Sequence, residues 1–110
     1  MLYILDIHTK LPKLNYNYRD GDYLNFLRNE LSRDSLNELM NTIIDFRKHM
    51  CFYKRIFSND SCITQYIFEN KNNREDTLNY IKDFYSTTNI EQTYNQYQED
   101  MTIKDYIFYK

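Results

Sequence analysis

From Leu36 to Phe57, apolar side chains recur every three or four residues: Leu36, Leu39 and Met40, Ile43, Phe46, Met50, Tyr53 and Phe57. This spacing is close to the 3.5-residue period of a packed helical seam. Ser35-Leu36-Asn37-Glu38 opens it with the pattern of a capping box, in which Ser bonds forward and Glu reaches back. The pattern predicts one helix over residues 35–57, about 35 Å long at 1.5 Å per residue. A helix of that length crosses most of a small domain or extends to a partner. Its seam also offers a route to a homodimer.

The rest of the chain is read around that helix. Leu2–Ile7 mixes apolar, β-branched and aromatic residues over a short run, which predicts a strand. Residues 9–22 hold the only proline, Pro12, and the only glycine, Gly21, and read as a loop. Tyr23, Leu24, Leu27 and Leu31 predict a first helix from about Asp22, with a break near Ser32–Asp34. Ser58–Ser61 is a turn-forming cluster, and Ile63–Phe68 is β-prone. Leu78, Ile81, Phe84 and Tyr85 mark another helix, capped near Asn73. Thr88-Asn89-Ile90-Glu91 fits a second capping box, and Ile90, Tyr94, Tyr97 and Met101 continue it as a narrow amphipathic stripe. Tyr106–Tyr109 reads as extended.

The expected class is therefore α+β and helix-dominated, with about four helices and a small sheet of short strands. An all-α bundle is the alternative. The chain has 110 residues, which reads as a single compact domain over 1–110. No stretch approaches the roughly 18–20 apolar residues of a membrane span, so no membrane partner is expected. The start lacks the basic segment and long apolar run of a signal peptide. Two cysteines outside any CxxC pattern read as reduced thiols, so the expected location is cytoplasmic.

Composition bears on function mainly by exclusion. One glycine leaves no material for a Gly-rich phosphate cradle, and neither HExxH nor GxSxG occurs. The segment Asn15 to Asp22 superficially suggests a calcium loop. Counted from Asn15, however, position 5 is Arg19, position 6 is Asp20 and position 12 is Phe26, so the register fails. His8 and His49 are far apart in sequence; Asp6 and His8 would share a strand face, but an exposed or hydrogen-bonded histidine is the simpler account. Cys51 and Cys62 read as small buried apolar residues. No catalytic residue, metal ligand or cofactor is expected. The chain has no Ala, Val or Trp. Physics does not require an Ala-free core, whereas an A/T-biased genome, as viruses, phages, plasmids and some parasites or symbionts have, produces one.

Two features point to partners. Arg47, Lys48, Lys54 and Arg55 would share one face of the long helix, as residues seven apart do. Four cations in a row would touch several phosphates. Twelve tyrosines are far above ordinary usage, and Tyr suits interfaces because it joins an apolar body to a polar tip. Tyr16 and Tyr18, in the loop, are the candidates for such a surface. The net charge of −2 argues against wholesale nucleic-acid binding but permits a local patch. The leading expectation is a non-enzymatic interaction protein of viral or mobile-element origin. It would bind a host or competitor protein as an inhibitor, immunity protein or host-response modulator. The alternative is nucleic-acid binding through the basic helix face.

Overall fold

The computed structural model describes residues 1–109. The elements run β1 (Leu2–Lys10), α1 (Asp20–Glu30), α2 (Arg33–Arg47), β2 (Phe52–Phe57), β3 (Ser61–Phe68), α3 (Lys71–Ser86), β4 (Gln92–Glu99) and α4 (Ile103–Tyr109). The four strands form one sheet in the order β2-β3-β1-β4, and every neighbouring pair is antiparallel. This is the βαββαβ arrangement of two split βαβ units, with the first crossover helix broken into α1 and α2 and a short helix added at the end.

The sheet has two covered faces. On β1, Leu5 and Ile7 join the core beneath α1, α2 and α3, while Leu2 and Ile4 join a smaller core with Ile67 and Tyr106 beneath α4. A strand covered on both faces needs a nearly continuous apolar run, and Leu2–Ile7 is one. α4 is pinned by a polar cluster as well as by packing. Tyr106 donates to Gln65 Oε1 at 2.5 Å, Gln65 Nε2 donates to Asp6 Oδ1 at 2.9 Å, and Tyr97 donates to Asp6 Oδ2 at 2.9 Å.

The helices start where short polar side chains replace missing backbone partners. Ser32 accepts from the Ser35 amide at 3.1 Å, and Asn70 accepts from the amides of Asn72 and Asn73 at 2.8 and 3.3 Å. Each cap satisfies donors the first turn leaves open. The break expected at Ser32–Asp34 is present, with Ser32 rather than Ser35 as the cap.

The long helix over residues 35–57 does not form. α2 ends at Arg47, and 52–57 is strand β2. The reason lies in the pattern itself. Residues four apart share a face in a helix and also in a strand, so Tyr53 and Phe57 fit both. The alternation of Tyr53, Arg55 and Phe57 against Phe52, Lys54 and Ile56 is the strand's own, and β3 supplies the partner from Phe52↔Ile67 to Phe57↔Cys62. With the helix goes the seam offered for a homodimer: Leu36 and Leu39 are buried in the protein's own core. The stripe over 90–101 is also not a helix. Residues 92–99 are strand β4, with Tyr94 and Tyr97 packing on opposite sides of the sheet. Thr88 donates to the Tyr85 carbonyl at 2.8 Å, ending α3 instead of opening a new helix. Tyr106–Tyr109, expected to be extended, lies in α4, which opens on a reciprocal Thr102–Asp105 cap with both bonds at 3.2 Å. With 44% helix and 29% strand, the fold is α+β but not helix-dominated, and it is not an all-α bundle.

Arg74 on α3 is an oddity of the packing. It is 6% exposed, its Nη1 donates to the Tyr97 carbonyl at 2.9 Å, and its guanidinium lies 5.5 Å from the Tyr3 ring centre. Among the described residues its Nε has no partner and it forms no ion pair. A buried donor left open costs on the order of 1–3 kcal/mol. Arg74→Met should therefore raise stability by about 1–2 kcal/mol, read as a higher urea midpoint. A lower midpoint would show that the Tyr97 bond and the Tyr3 contact outweigh the open donor.

Candidate functional site

On the helix side of the sheet, the register brings a polar row into an apolar interior. Arg55 on β2 lies beside Thr64 on β3, which lies beside Ile7 on β1. One step along, Tyr53 lies beside Tyr66; at the other end, Thr9 lies beside Gln92. α1 places Tyr23 and Leu27 over this row, α3 places Ile81 and Tyr85, and α2 closes it with Leu39, Met40, Ile43, Ile44 and Arg47. Between them is a cavity of about 290 Å³. That equals the liquid volume of about ten waters and sits near the lower end of ordinary ligand pockets.

The chemistry of the lining divides in two. Leu27, Leu39, Ile43 and Ile81 make apolar walls, while the hydroxyls of Thr9, Thr64, Tyr23, Tyr66 and Tyr85 and the Gln92 amide belong to the sheet-side floor and the helix ends. Gln92 Nε2 donates to Thr9 Oγ1 at 3.0 Å, and Tyr94 donates to Gln92 Oε1 at 2.7 Å, so the Gln92 side chain is held at both atoms. Burial pushes the Tyr23, Tyr66 and Tyr85 hydroxyls above the usual tyrosine range, with neighbouring Cys62 or tyrosine groups adding to it and Arg55 opposing it at Tyr23 and Tyr66. At neutral pH all three are protonated donors.

The two arginines stand against aromatic rings. The Arg47 guanidinium lies 4.2 Å from the Tyr53 ring centre, and Tyr53 stacks on Tyr66 with centroids 6.3 Å apart. The Arg55 guanidinium lies 5.1 Å from the Tyr23 ring centre. Such contacts orient a guanidinium without neutralising it. Among the described residues no Asp or Glu lines the cavity and neither arginine forms an ion pair. Beside them, Met40 and Ile44 are 47% and 54% exposed, four residues apart on the open side of α2.

The residues singled out from sequence are dispersed. Arg47 and Arg55 meet at the cleft, though from a helix and a strand rather than from one helix face. Lys54 belongs to the opposite sheet face, in register with Gln65. Lys48 pairs with Asp45 at 3.3 Å on the exposed end of α2, a contact that contributes little. The row of four cations therefore does not exist. Tyr16 is exposed, with its hydroxyl 3.5 Å from Asp22 Oδ1. Tyr18 is buried, donating to the Pro12 carbonyl while its amide donates to the Ser58 carbonyl at 2.9 Å, so it holds the loop rather than offering a surface. Asp6 and His8 do share a strand face, but both Asp6 oxygens accept from Gln65 and Tyr97. His8 is exposed on the α4 side, whereas His49 lies after α2 beside Asp45 and Asp76. Among the described residues no three His, Cys, Asp or Glu are grouped to hold a metal ion. Burial raises both thiols, Cys51 and Cys62, which disfavours the nucleophilic thiolate.

Sequence reading missed Tyr23, Tyr66, Tyr85, Met40 and Ile44. Tyr23, Tyr85 and Met40 sit at positions of ordinary core spacing and Ile44 beside the apolar seam, and only strand register together with the placement of the helices shows which of them share a space. No helix among the described residues is long and apolar enough to cross a membrane. Compared with protein-family models, with curated proteins and with solved structures, the chain has no significant match. The βαββαβ arrangement by itself hosts many unrelated functions.

Proposed function

We propose that this chain is a non-enzymatic binding protein that acts on a host or competitor protein as an inhibitor, immunity protein or host-response modulator. The A/T-biased composition supports a virus or mobile element as its source. The observation that carries the binding reading is the patch at the mouth of the cleft. Met40 and Ile44 are exposed there, next to Arg47 and Arg55, neither of which is ion-paired among the described residues. Met, Arg and Tyr are the residue types enriched in protein interfaces, and exposed apolar groups beside two arginines suit an acidic, partly apolar partner surface. Nucleic-acid binding loses its motive with the four-cation row.

The test is a tagged pull-down from source cells, with and without nuclease, comparing the natural protein with the Ile44→Glu/Arg47→Glu variant. Both positions are exposed, so the variant should melt like the parent. The expected result is a discrete protein that survives nuclease and is lost with the variant. Equal recovery by the variant would remove the patch as the site, and loss on nuclease treatment would replace a protein partner with nucleic acid.

A further inference from the structure

The interior of the cleft has features that a flat protein–protein contact does not need. It is a concave space of about 290 Å³ whose floor carries hydroxyls and an amide. Four of its lining residues are tyrosines, Tyr23, Tyr53, Tyr66 and Tyr85, so aromatic carbon makes up much of the wall. Two guanidiniums stand at its edge, each already against a ring, at 4.2 Å for Arg47 and 5.1 Å for Arg55. Arginine in that position keeps its outward donors free for an oxyanion, which it grips with paired N–H groups. Among the described residues no carboxylate lines the cleft, so the two guanidiniums are the charged groups at its wall.

We infer that the cleft is a binding site for a small aromatic anion: a ring-bearing body seated among the tyrosines and apolar walls, with one phosphate, sulfonate or carboxylate held by Arg47 and Arg55. The ring body is required by the lining, since an inorganic anion would leave Met40, Ile43 and Ile44 facing water. The charge is required by the arginines. Hydroxyls in the lining favour a ring that bears a hydrogen-bonding group over a plain hydrocarbon. The anion is supplied either by a free small molecule or by an aryl phosphate side chain on the partner protein. The site stands on the cleft's own chemistry and holds whether or not the protein partner proposed above exists.

The test uses the full-length protein and a pair of fluorescent probes with the same aromatic body: 8-anilinonaphthalene-1-sulfonate, and N-phenyl-1-naphthylamine, which lacks the sulfonate. The expected result is saturable one-to-one binding of the sulfonate probe, with the neutral probe weaker by roughly tenfold or more. Arg47→Gln and Arg55→Gln should each weaken the sulfonate probe by about tenfold and leave the neutral probe unchanged. Ile44→Trp, at an exposed position on the rim, should obstruct both probes without affecting folding. Displacement by phenyl phosphate at least as strong as by a phosphotyrosine peptide identifies a free small molecule as the source, and displacement much tighter by the peptide identifies the partner's side chain. Equal binding of the two probes, indifference to both arginine changes, or undiminished binding in Ile44→Trp would overturn the inference. A cooperative melt and an unchanged near-ultraviolet spectrum exclude a loosened, dye-binding state as the source of the signal. Because no partner enters the measurement, its failure leaves the pull-down result untouched, and the reverse also holds.

Discussion

Raising the pH above about 10 should unfold this protein steeply, at about 2–3 kcal/mol of stability lost per pH unit. The cause is Tyr66 and Tyr85, which are buried in the helix-side core with hydroxyls that burial pushes well above the ordinary value of 10.0. Released into water by unfolding, both ionise near pH 10. Held in the folded state, both keep their protons. The unfolded chain therefore binds fewer protons above pH 10, and stability falls as pH rises. Below pH 10 the contribution is fully present. Each withheld proton is worth about 1.4 kcal/mol per pH unit, hence the doubled slope. Tyr23, raised by burial against the opposing Arg55, and Tyr97, pushed up to about 12 by burial and by its bond to the Asp6 carboxylate, add to the loss above pH 10. A domain of ordinary stability, about 5–15 kcal/mol, would be spent within a few pH units. Urea midpoints across this range, with tyrosinate absorbance followed in parallel, measure the slope. Tyr85→Phe should flatten it by about 1.4 kcal/mol per pH unit. An unchanged slope in that variant would mean that the Tyr85 hydroxyl meets solvent in the folded protein.

Phe68→Ala should cost about 3–5 kcal/mol, a large part of the stability of a domain this size. Phe68 is 0% exposed at the end of β3, opposite Tyr3 and within the core beneath the helices. Removing its ring takes away both the burial and the contacts of the atoms around it, and the strand framework limits how far they close in. Phe108→Ala is the matched control. Phe108 is 75% exposed on α4, so its loss should change the urea midpoint by less than about 0.5 kcal/mol. Similar effects at the two positions would show that Phe68 is not packed as described.

These two phenylalanines also show how far sequence reading reaches. Ile67-Phe68 and Ile107-Phe108 look alike in the chain, each an apolar pair at the end of a β-prone run. One became the wall of a core and the other the exposed side of a short helix. The difference lies in what stands opposite. β3 has β1 and β2 on either side, whereas residues 103–109 are connected by a tight turn to an edge strand and fold onto the sheet face instead. The same holds at Tyr94 and Tyr97. Their spacing suits a helix, but β1 offers an eight-residue antiparallel register from Leu2↔Glu99 to Thr9↔Gln92, and pairing with it satisfies the backbone groups of β4 that face β1.

What the sequence determined alone is local. Short-range chemistry placed the strand at Leu2–Ile7, the β character of Ile63–Phe68, the break near Ser32 and the helix around Leu78 and Ile81. Each of these depends on a cap, a turn cluster or a continuous apolar run within a few residues. Tertiary structure alone decided the identity of 52–57 and 92–99, because side chains four apart share a face in both kinds of element and only a neighbouring strand breaks the tie. It also decided the site. Arg47 and Arg55 were legible as charges, but as members of a row on one helix. Their meeting with Tyr23, Tyr66 and Tyr85 depends on strand register and on how α1, α2 and α3 lie across the sheet. Those are long-range pairings, set by the burial of the whole core, and no window of sequence contains them.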